Sequence, residues 1–204
     1  MILIGRYLSP FVRRVAVSLK LTGQAFEHRP LSTVDDLAAV KQLNPLGRVP
    51  ALVLDDGEVL VDSNAILDHI DELAGPARAL LPASGKPRRE ALQTVGIGYG
   101  VLEKAVAAVY ERTKRPQELV HAPWRDHLDG QVKAGLAALE ARIGDRTWFG
   151  GPQPNQADIT AIVALDFLGV MLPSLVEKGA WPRLEALVRL ADVLPAFAET
   201  KPQK

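Results

Sequence analysis

The hydrophobic positions in the first third of the chain change period several times. Two short apolar runs, MILIGRY and FEHRPL, alternate with stretches whose apolar residues recur every three or four positions, PFVRRVAVSLKLTG and TVDDLAAVKQL. Two further apolar runs flank Asp55, Asp56 and Gly57, and Asp-Gly between such runs is a strong hairpin signal. A helical pattern from Ser63 to Ala74 follows. Together these periods predict the element order βαβαββα.

Local signals predict where the first and last of these helices begin and end. Ser9 is suited to the N-cap of the first helix, Pro10 to its first turn, and Gly23 to its end. The last helix is expected to end at Gly75. Its spacing predicts an inward-facing set of apolar side chains: Ile66, Leu67, Ile70 and Leu73.

Beyond Pro87 the strand signals fade and the period is helical. The apolar positions predict two long helices, one marked by Leu92, Val95, Tyr99, Leu102, Val106 and Val109, the other by Val132, Leu136, Leu139 and Ile143. The run NQADITAIVALDFLGVML is apolar nearly all round and predicts a central helix, with Asn155 and Asp158 as its capping box. We therefore predict a thioredoxin-like α/β domain with a mixed sheet over residues 1–76, a linker at 77–87 and an all-helical domain over 88–204.

Composition narrows the classes of function. The chain has 204 residues and 48% hydrophobic residues, enough for buried cores. Lys plus Arg equals Asp plus Glu at 24 each, so no net charge attracts nucleic acid or a membrane surface. Arg6 interrupts the first apolar run, and no run approaches the ~20 residues of a membrane span. We expect no signal peptide, no membrane partner, no nucleic-acid partner and a cytoplasmic location.

The chain has no cysteine, which limits the chemistry that it can perform. Disulfides, zinc–cysteine sites and a cysteine nucleophile are excluded, so any thiol chemistry must use a thiol that a ligand brings. The four histidines lack the i,i+4 spacing of a helical metal site, and we expect no metal. The glycines of GIGYG, residues 96–100, lie within a helical pattern rather than after a strand. They favour a close approach of another backbone, or a bend, over a nucleotide loop.

The segment from Asn44 to Ser63, NPLGRVPALVLDDGEVLVDS, predicts a binding site. Pro50 at the head of a strand indicates a turn, with a cis peptide after Val49 as one form of it, and such a turn would expose the Val49 backbone. Asp62 and Ser63 stand just before a helix, where free N–H groups favour a carboxylate. A small anionic, peptide-like ligand is the expected occupant.

Four segments together resemble the glutathione transferase superfamily across essentially the whole chain. SPFVRRV is similar to the serine-type active-site segment, and NPLGRVPAL to the loop that pairs with the cysteinyl part of glutathione. VDSNAI resembles the acid-serine motif, with Asp62 where Glu is usual. NQADI resembles the capping box of the central helix, with Asn155 where Ser or Thr is usual.

The resemblance implies an enzyme that uses glutathione as co-substrate, without a permanent cofactor. Ser9 would donate a hydrogen bond to the thiolate, with Tyr7 as the alternative hydroxyl. Taken alone, Ser9 would be interpreted as only an N-cap; the downstream motifs favour the active-site role, and the two roles are compatible. The implied glutathione-binding residues are Lys41, Arg48, Val49, Pro50, Asp62 and Ser63. Because Asp62 is shorter than the usual Glu, we expect weak glutathione affinity.

The electrophile is the least determined part of this prediction. Phe11 and Tyr99 are the preferred pocket residues among Phe11, Tyr99, Glu103, Tyr110, Trp124 and Phe167. Members of the superfamily that isomerise maleylacetoacetate carry a serine-cysteine pair near the first helix, which this chain lacks, so that activity is disfavoured. Two alternatives stay open: a catalytically silent binding or regulatory module, and a glutathione-dependent peroxidase or dehalogenase. A homodimer is expected by resemblance.

Overall fold

The computed structural model describes residues 1–203. The chain divides into two compact units. The first contains Met1–Ala83 together with the C-terminal segment that begins at Asp192, and the second is Ser84–Ala191.

The first unit contains a four-stranded mixed sheet and three main helices. Its elements are β1 Ile2–Ile4, α1 Pro10–Thr22, β2 Glu27–Arg29, α2 Leu37–Leu43, β3 Ala51–Val53, β4 Val59–Val61 and α3 Ser63–Ala74. The strands lie in the order β2-β1-β3-β4. β1 is parallel to β2, and β3 is antiparallel to both β1 and β4. The predicted order βαβαββα is confirmed, although each strand is shorter than the apolar run that predicted it.

Helices α1 and α3 supply most of the core of this unit. Ser9 is the N-cap of α1 and Gly23, with φ 75°, its C-cap, as predicted. Ile66, Leu67 and Ile70 of α3 are buried, but Leu73 is 47% exposed, so its predicted burial is wrong. The buried face of α3 is formed by Ser63, Ile66, Leu67, Ile70 and Ala74, and Leu73 lies at the edge of this face.

The C-terminal segment packs with the first unit rather than with the helices that precede it in sequence. Its short helix α8, Pro195–Ala198, lies against α1. Phe197 is fully buried, and Arg13 Nη2 donates to the Phe197 carbonyl at 3.4 Å. Lys20 and Glu199 form an ion pair at 2.5 Å. The sequence analysis placed residues 88–204 in one helical domain, whereas the segment from Asp192 belongs to the first unit. Helical periodicity shows that a terminal segment is a helix, but not which unit it packs with.

The second unit is all-helical. Its helices are α4 Gly85–Thr113, α5 Ala122–Ile143, α6 Gln156–Met171 and α7 Pro182–Ala191, with 3-10 turns at Gln117–Leu119 and Pro173–Leu175. α4 packs against both α5 and α6. Because α4 begins at Gly85, it includes the last residues of the predicted linker. Within residues 1–203, no helix is long and apolar enough to cross a membrane.

Helix α6 is buried along nearly its whole length, as its all-round apolar pattern predicted. The predicted capping box is confirmed: Asn155 Oδ1 accepts from the Ala157 N–H at 2.7 Å, and Asp158 Oδ2 accepts from the Asn155 N–H at 2.9 Å. Asp158 also accepts backbone N–H groups of Phe149 at 2.7 Å and Gly150 at 3.2 Å. The box therefore fixes the loop before α6 as well as the helix end.

Candidate functional site

The strand register brings the candidate residues of the first unit to one end of the sheet. Ile4, the last residue of β1, pairs with Ala51, the first residue of β3. Ala51 also pairs with Val61, the last residue of β4. The segments that follow β1, precede β3 and follow β4 therefore lie side by side. These segments contain Ser9, the Val49–Pro50 turn, and Asp62 with Ser63.

Ser9 lies at the N-terminus of α1, half-buried. Its Oγ accepts the Val12 N–H at 3.5 Å, near the upper limit for a hydrogen bond. A serine hydroxyl has one donor and two acceptor positions, so its O–H proton stays available for another acceptor. At a helix N-terminus that acceptor is favoured when it is an anion.

Tyr7 is the second hydroxyl of this segment, and its surroundings differ from those of Ser9. Its ring stacks on His28, with centroids 3.9 Å apart and planes 2° from parallel, and packs against the core of the first unit. Burial, and to a smaller extent the negative charge of Glu199, raise the pKa of the Tyr7 hydroxyl above its ordinary value. Tyr7 therefore stays protonated, in a place that disfavours negative charge.

The loop before β3 is held by Asn44, which is 5% exposed. Its Nδ2 donates to the Arg48 carbonyl at 3.0 Å, and its Oδ1 accepts the Leu46 N–H at 3.0 Å. The Val49–Pro50 peptide is cis, the form that the sequence had left open. The Val49 side chain packs against the core, and none of the backbone hydrogen bonds recorded for residues 1–203 involves Val49. Backbone groups that have no strand partner are of the kind that an extended ligand can pair with.

Gly5 allows this arrangement. Its φ is +121°, and a Cβ at this position would lie 2.5 Å from Val12 Cγ2 and 2.8 Å from Val49 Cβ. Only glycine combines that backbone conformation with so close an approach of α1 and the Val49 turn.

Asp62 and Ser63 form the N-terminus of α3. Asp62 is the one residue other than glycine with positive φ among residues 1–203, at 71°, and its side chain accepts the Asn64 N–H at 2.8 Å. Such a conformation is strained and is often found at binding sites. Ser63 is 2% exposed, and its Oγ accepts from Arg14 Nη1 at 3.3 Å.

The other predicted site residues are less closely tied to this end of the sheet. Lys41 on α2 and Arg48 in the loop are both exposed. Phe11 is buried on α1 in the first unit, while Tyr99 is half-buried on α4 in the second. The electrophile pocket assigned to them stays a prediction. In the part of the chain that is described, no group of three or more His, Asp or Glu side chains could hold a metal ion.

Two residues of this region were missed by the sequence analysis. Asn44 organises the loop, and Arg14 reaches Ser63 and Asn64. The signal for Arg14 was available, because Arg13 and Arg14 interrupt an otherwise apolar helix. A pair of charges in a helix that is buried nearly all round needs polar partners.

Family comparisons agree with this architecture. Residues 3–78 match the family model of the glutathione S-transferase N-terminal domain, and residues 122–190 match that of the C-terminal domain. The maleylacetoacetate isomerase of Pseudomonas aeruginosa is 34% identical, with 96% of this chain and 93% of that protein covered. A GST-like protein of Escherichia coli, YibF, is 33% identical over 99% of this chain and 98% of its own length.

Solved structures give the same result. A glutathione S-transferase of Methylobacterium radiotolerans in complex with glutathione sulfonate has a TM-score of 0.93 and 29% identity, covering 100% of this chain and 95% of that one. A glutathione transferase family member of Pseudomonas fluorescens with bound glutathione has a TM-score of 0.86 and 31% identity, covering 100% and 99%. The fold and these likenesses define a glutathione transferase-like enzyme. The chain belongs to the glutathione S-transferase superfamily.

Proposed function

We propose that this protein activates glutathione as its thiolate, for attack on a small hydrophobic electrophile, with Ser9 as the hydrogen-bond donor to sulfur. The observation that carries the proposal is the position of Ser9: its hydroxyl caps α1 only through a long contact of 3.5 Å and keeps its proton for another acceptor. The Val49 backbone and the N-terminus of α3 lie at the same end of the sheet. They would hold the cysteinyl and γ-glutamyl parts of glutathione.

The energetics are sufficient for this role. A free thiol has a pKa of about 8.5, so only a few per cent is thiolate at neutral pH. Lowering that pKa by about two units requires about 2.7 kcal/mol of preference for the anion. One hydrogen bond to a charged acceptor contributes about 1.5–3 kcal/mol, and the N-terminus of α1 adds to it. No general base is needed.

Ser9 is preferred over Tyr7 for an electrostatic reason. The burial and the Glu199 charge that raise the pKa of Tyr7 would also raise the pKa of a thiol placed beside its hydroxyl. Ser9 instead stands at the positive end of a helix. The remaining residues would bind the two ends of glutathione. Asp62 would bind its γ-glutamyl amine and Ser63 its γ-glutamyl carboxylate, while Lys41 and Arg48 would bind its glycyl carboxylate.

The test is glutathione binding by calorimetry together with thiolate absorbance as a function of pH. It compares the wild type with Ser9→Ala and with the matched control Tyr7→Phe. We expect Ser9→Ala to raise the pKa of the bound thiol by about one to two units, since one charge-assisted hydrogen bond is lost. Tyr7→Phe should leave it within about half a unit, a change well below that of a single such bond.

Two results would contradict the proposal in different ways. A wild type that binds no glutathione at millimolar concentration would exclude the enzymatic function. A bound-thiol pKa that rises in Tyr7→Phe and not in Ser9→Ala would move the role from Ser9 to Tyr7.

A second candidate function is glutathione-dependent isomerisation. The likeness to a protein named maleylacetoacetate isomerase favours it, although this chain has no cysteine to form the serine-cysteine pair that was expected for that activity. The two activities differ in their products. A transferase consumes the thiol of glutathione, whereas an isomerase adds the thiolate to a conjugated double bond and then releases it, so free thiol is conserved.

Thiol titration during turnover therefore separates the two. A panel of alkyl and aryl electrophiles, a peroxide, a haloalkane and maleylacetoacetate would also cover the peroxidase and dehalogenase alternatives. Binding of glutathione without turnover on any of them would favour the silent binding module. The homodimer and the cytoplasmic location stay predictions, and sedimentation analysis would test the first.

A further inference from the structure

Arg14 lies inside the first unit and connects α1 to the N-terminus of α3. The residue is 1% exposed. Its Nη1 donates to Ser63 Oγ at 3.3 Å and to Asn64 Oδ1 at 2.9 Å. It contacts the two residues that open α3, directly after the strained Asp62.

The chemistry of the guanidinium determines the direction of the Ser63 hydroxyl. Arginine has five N–H donors and no acceptor, so Ser63 Oγ must accept this hydrogen bond. The Ser63 proton then cannot point at Arg14. It points elsewhere, and a carboxylate at the N-terminus of α3 can accept it. A serine without this partner could turn its proton toward any nearby carbonyl.

The charge of Arg14 is placed against the usual preference of helices. The N-terminus of a helix carries partial positive charge, and cations are ordinarily favoured at the other end. Here the buried Arg14 guanidinium lies at the first turn of α3, in contact with Ser63 and Asn64. A positive charge at this end of α3 adds to the preference of a helix N-terminus for an anionic ligand.

We propose that Arg14 is a positioning residue that orients Ser63 and the first turn of α3 for the α-carboxylate of the γ-glutamyl group. This inference deepens the proposed function and rests on its glutathione site. It does not depend on activation of the thiol, because the γ-glutamyl group is recognised separately from sulfur.

The experiment uses two ligands that lack a free thiol. One is S-methylglutathione, and the other is the same compound with a 4-aminobutyryl group in place of γ-glutamyl, which removes only the α-carboxylate. Calorimetry compares wild type, Arg14→Gln, Arg14→Lys, Ser63→Ala and the Arg14→Gln/Ser63→Ala double variant. Arg13→Gln is the matched control, because Arg13 is equally buried on α1 but donates to the Phe197 carbonyl.

We expect Arg14→Gln to weaken S-methylglutathione binding by about tenfold, the effect of one hydrogen bond to a charged group. Binding of the analogue without the carboxylate should fall less than about twofold, since the lost contact was never made. Adding Ser63→Ala should change little further, because the two residues act as a unit. Arg14→Lys keeps a donor and the charge, so its affinity for S-methylglutathione should fall less than that of Arg14→Gln. Arg13→Gln should change the affinity for the two ligands by the same factor.

Two results would show that Arg14 is only a structural residue and would overturn the inference. One is an equal fall in affinity for both ligands in Arg14→Gln, and the other is a double variant whose affinity falls by the product of the two single effects. If Arg14→Gln does not fold, Arg14→Lys and Ser63→Ala give the same comparison. A wild type that binds neither ligand would overturn the glutathione site and this inference together. Normal binding of S-methylglutathione without a lowered thiol pKa would overturn thiol activation alone.

Discussion

Gly98 provides the sharpest test of how the helical unit is packed. A Cβ at Gly98 on α4 would lie 2.9 Å from Thr160 Cγ2 on α6. Thr160 is fully buried and its hydroxyl donates to the Gln156 carbonyl at 2.7 Å, so its methyl group has little freedom to move. Gly96 on the same helix has nothing within 4 Å of an added Cβ. Gly98→Ala and Gly96→Ala are therefore the same change on the same helix, at a buried position that contacts α6 and at an exposed position that does not.

The magnitudes follow from two opposing effects. Alanine in place of glycine inside a helix stabilises by about 1 kcal/mol. Overpacking a buried contact costs about 1–3 kcal/mol. We expect Gly96→Ala to raise the free energy of unfolding by up to about 1 kcal/mol and Gly98→Ala to leave it unchanged or lower it by about 2 kcal/mol.

Urea denaturation of each variant measures this difference. Thr160→Ser removes the methyl group and keeps the hydroxyl, so Gly98→Ala should be better tolerated in that background, with a coupling of at least about 0.5 kcal/mol. Equal stabilisation by Gly98→Ala and Gly96→Ala, or no coupling with Thr160→Ser, would refute the close approach of α4 to α6.

Three further outcomes are expected. Burial raises the pKa of Asp158 from 3.8 to about 6, so the folded state holds a proton that the unfolded state has lost between these pH values, and stability falls as pH rises through that window. Asp158→Asn removes this pH dependence, so the loss of stability that it causes relative to wild type, measured by denaturation, should shrink by about 2 kcal/mol between pH 4 and pH 7. A loss that grows with pH would contradict the raised pKa. Gly5→Ala should displace Val49 and lower both stability and glutathione affinity in calorimetry, and unchanged affinity would exclude the Val49 turn from the site. Asp62→Gly should relieve the positive-φ strain and raise the free energy of unfolding by up to about 1 kcal/mol, but weaken glutathione binding. Asp62→Glu should bind glutathione more tightly than the wild type. Tighter binding by Asp62→Gly would exclude Asp62 from the site.

The sequence predicted the elements and the motifs because those depend on local chemistry. Ser9, Pro10 and Gly23 defined the ends of α1, and the Asn155–Asp158 capping box defined the start of α6. The Asp-Gly turn gave the hairpin, and the strand-leading Pro50 gave the turn at Val49. Each of these signals acts over a few residues, so it can be read without knowing what lies across the fold.

Tertiary structure decided everything that depends on distant neighbours. Only the register of Ile4, Ala51 and Val61 shows that three separate segments share one end of the sheet. Helical periodicity did not show that Leu73 lies at the edge of the buried face of α3. It also did not show that Phe197 is buried in the first unit. In the sequence, Arg14 is only a charged residue in an apolar helix. Its guanidinium contacts Ser63, which is 49 positions away, because the tertiary structure packs α1 against α3.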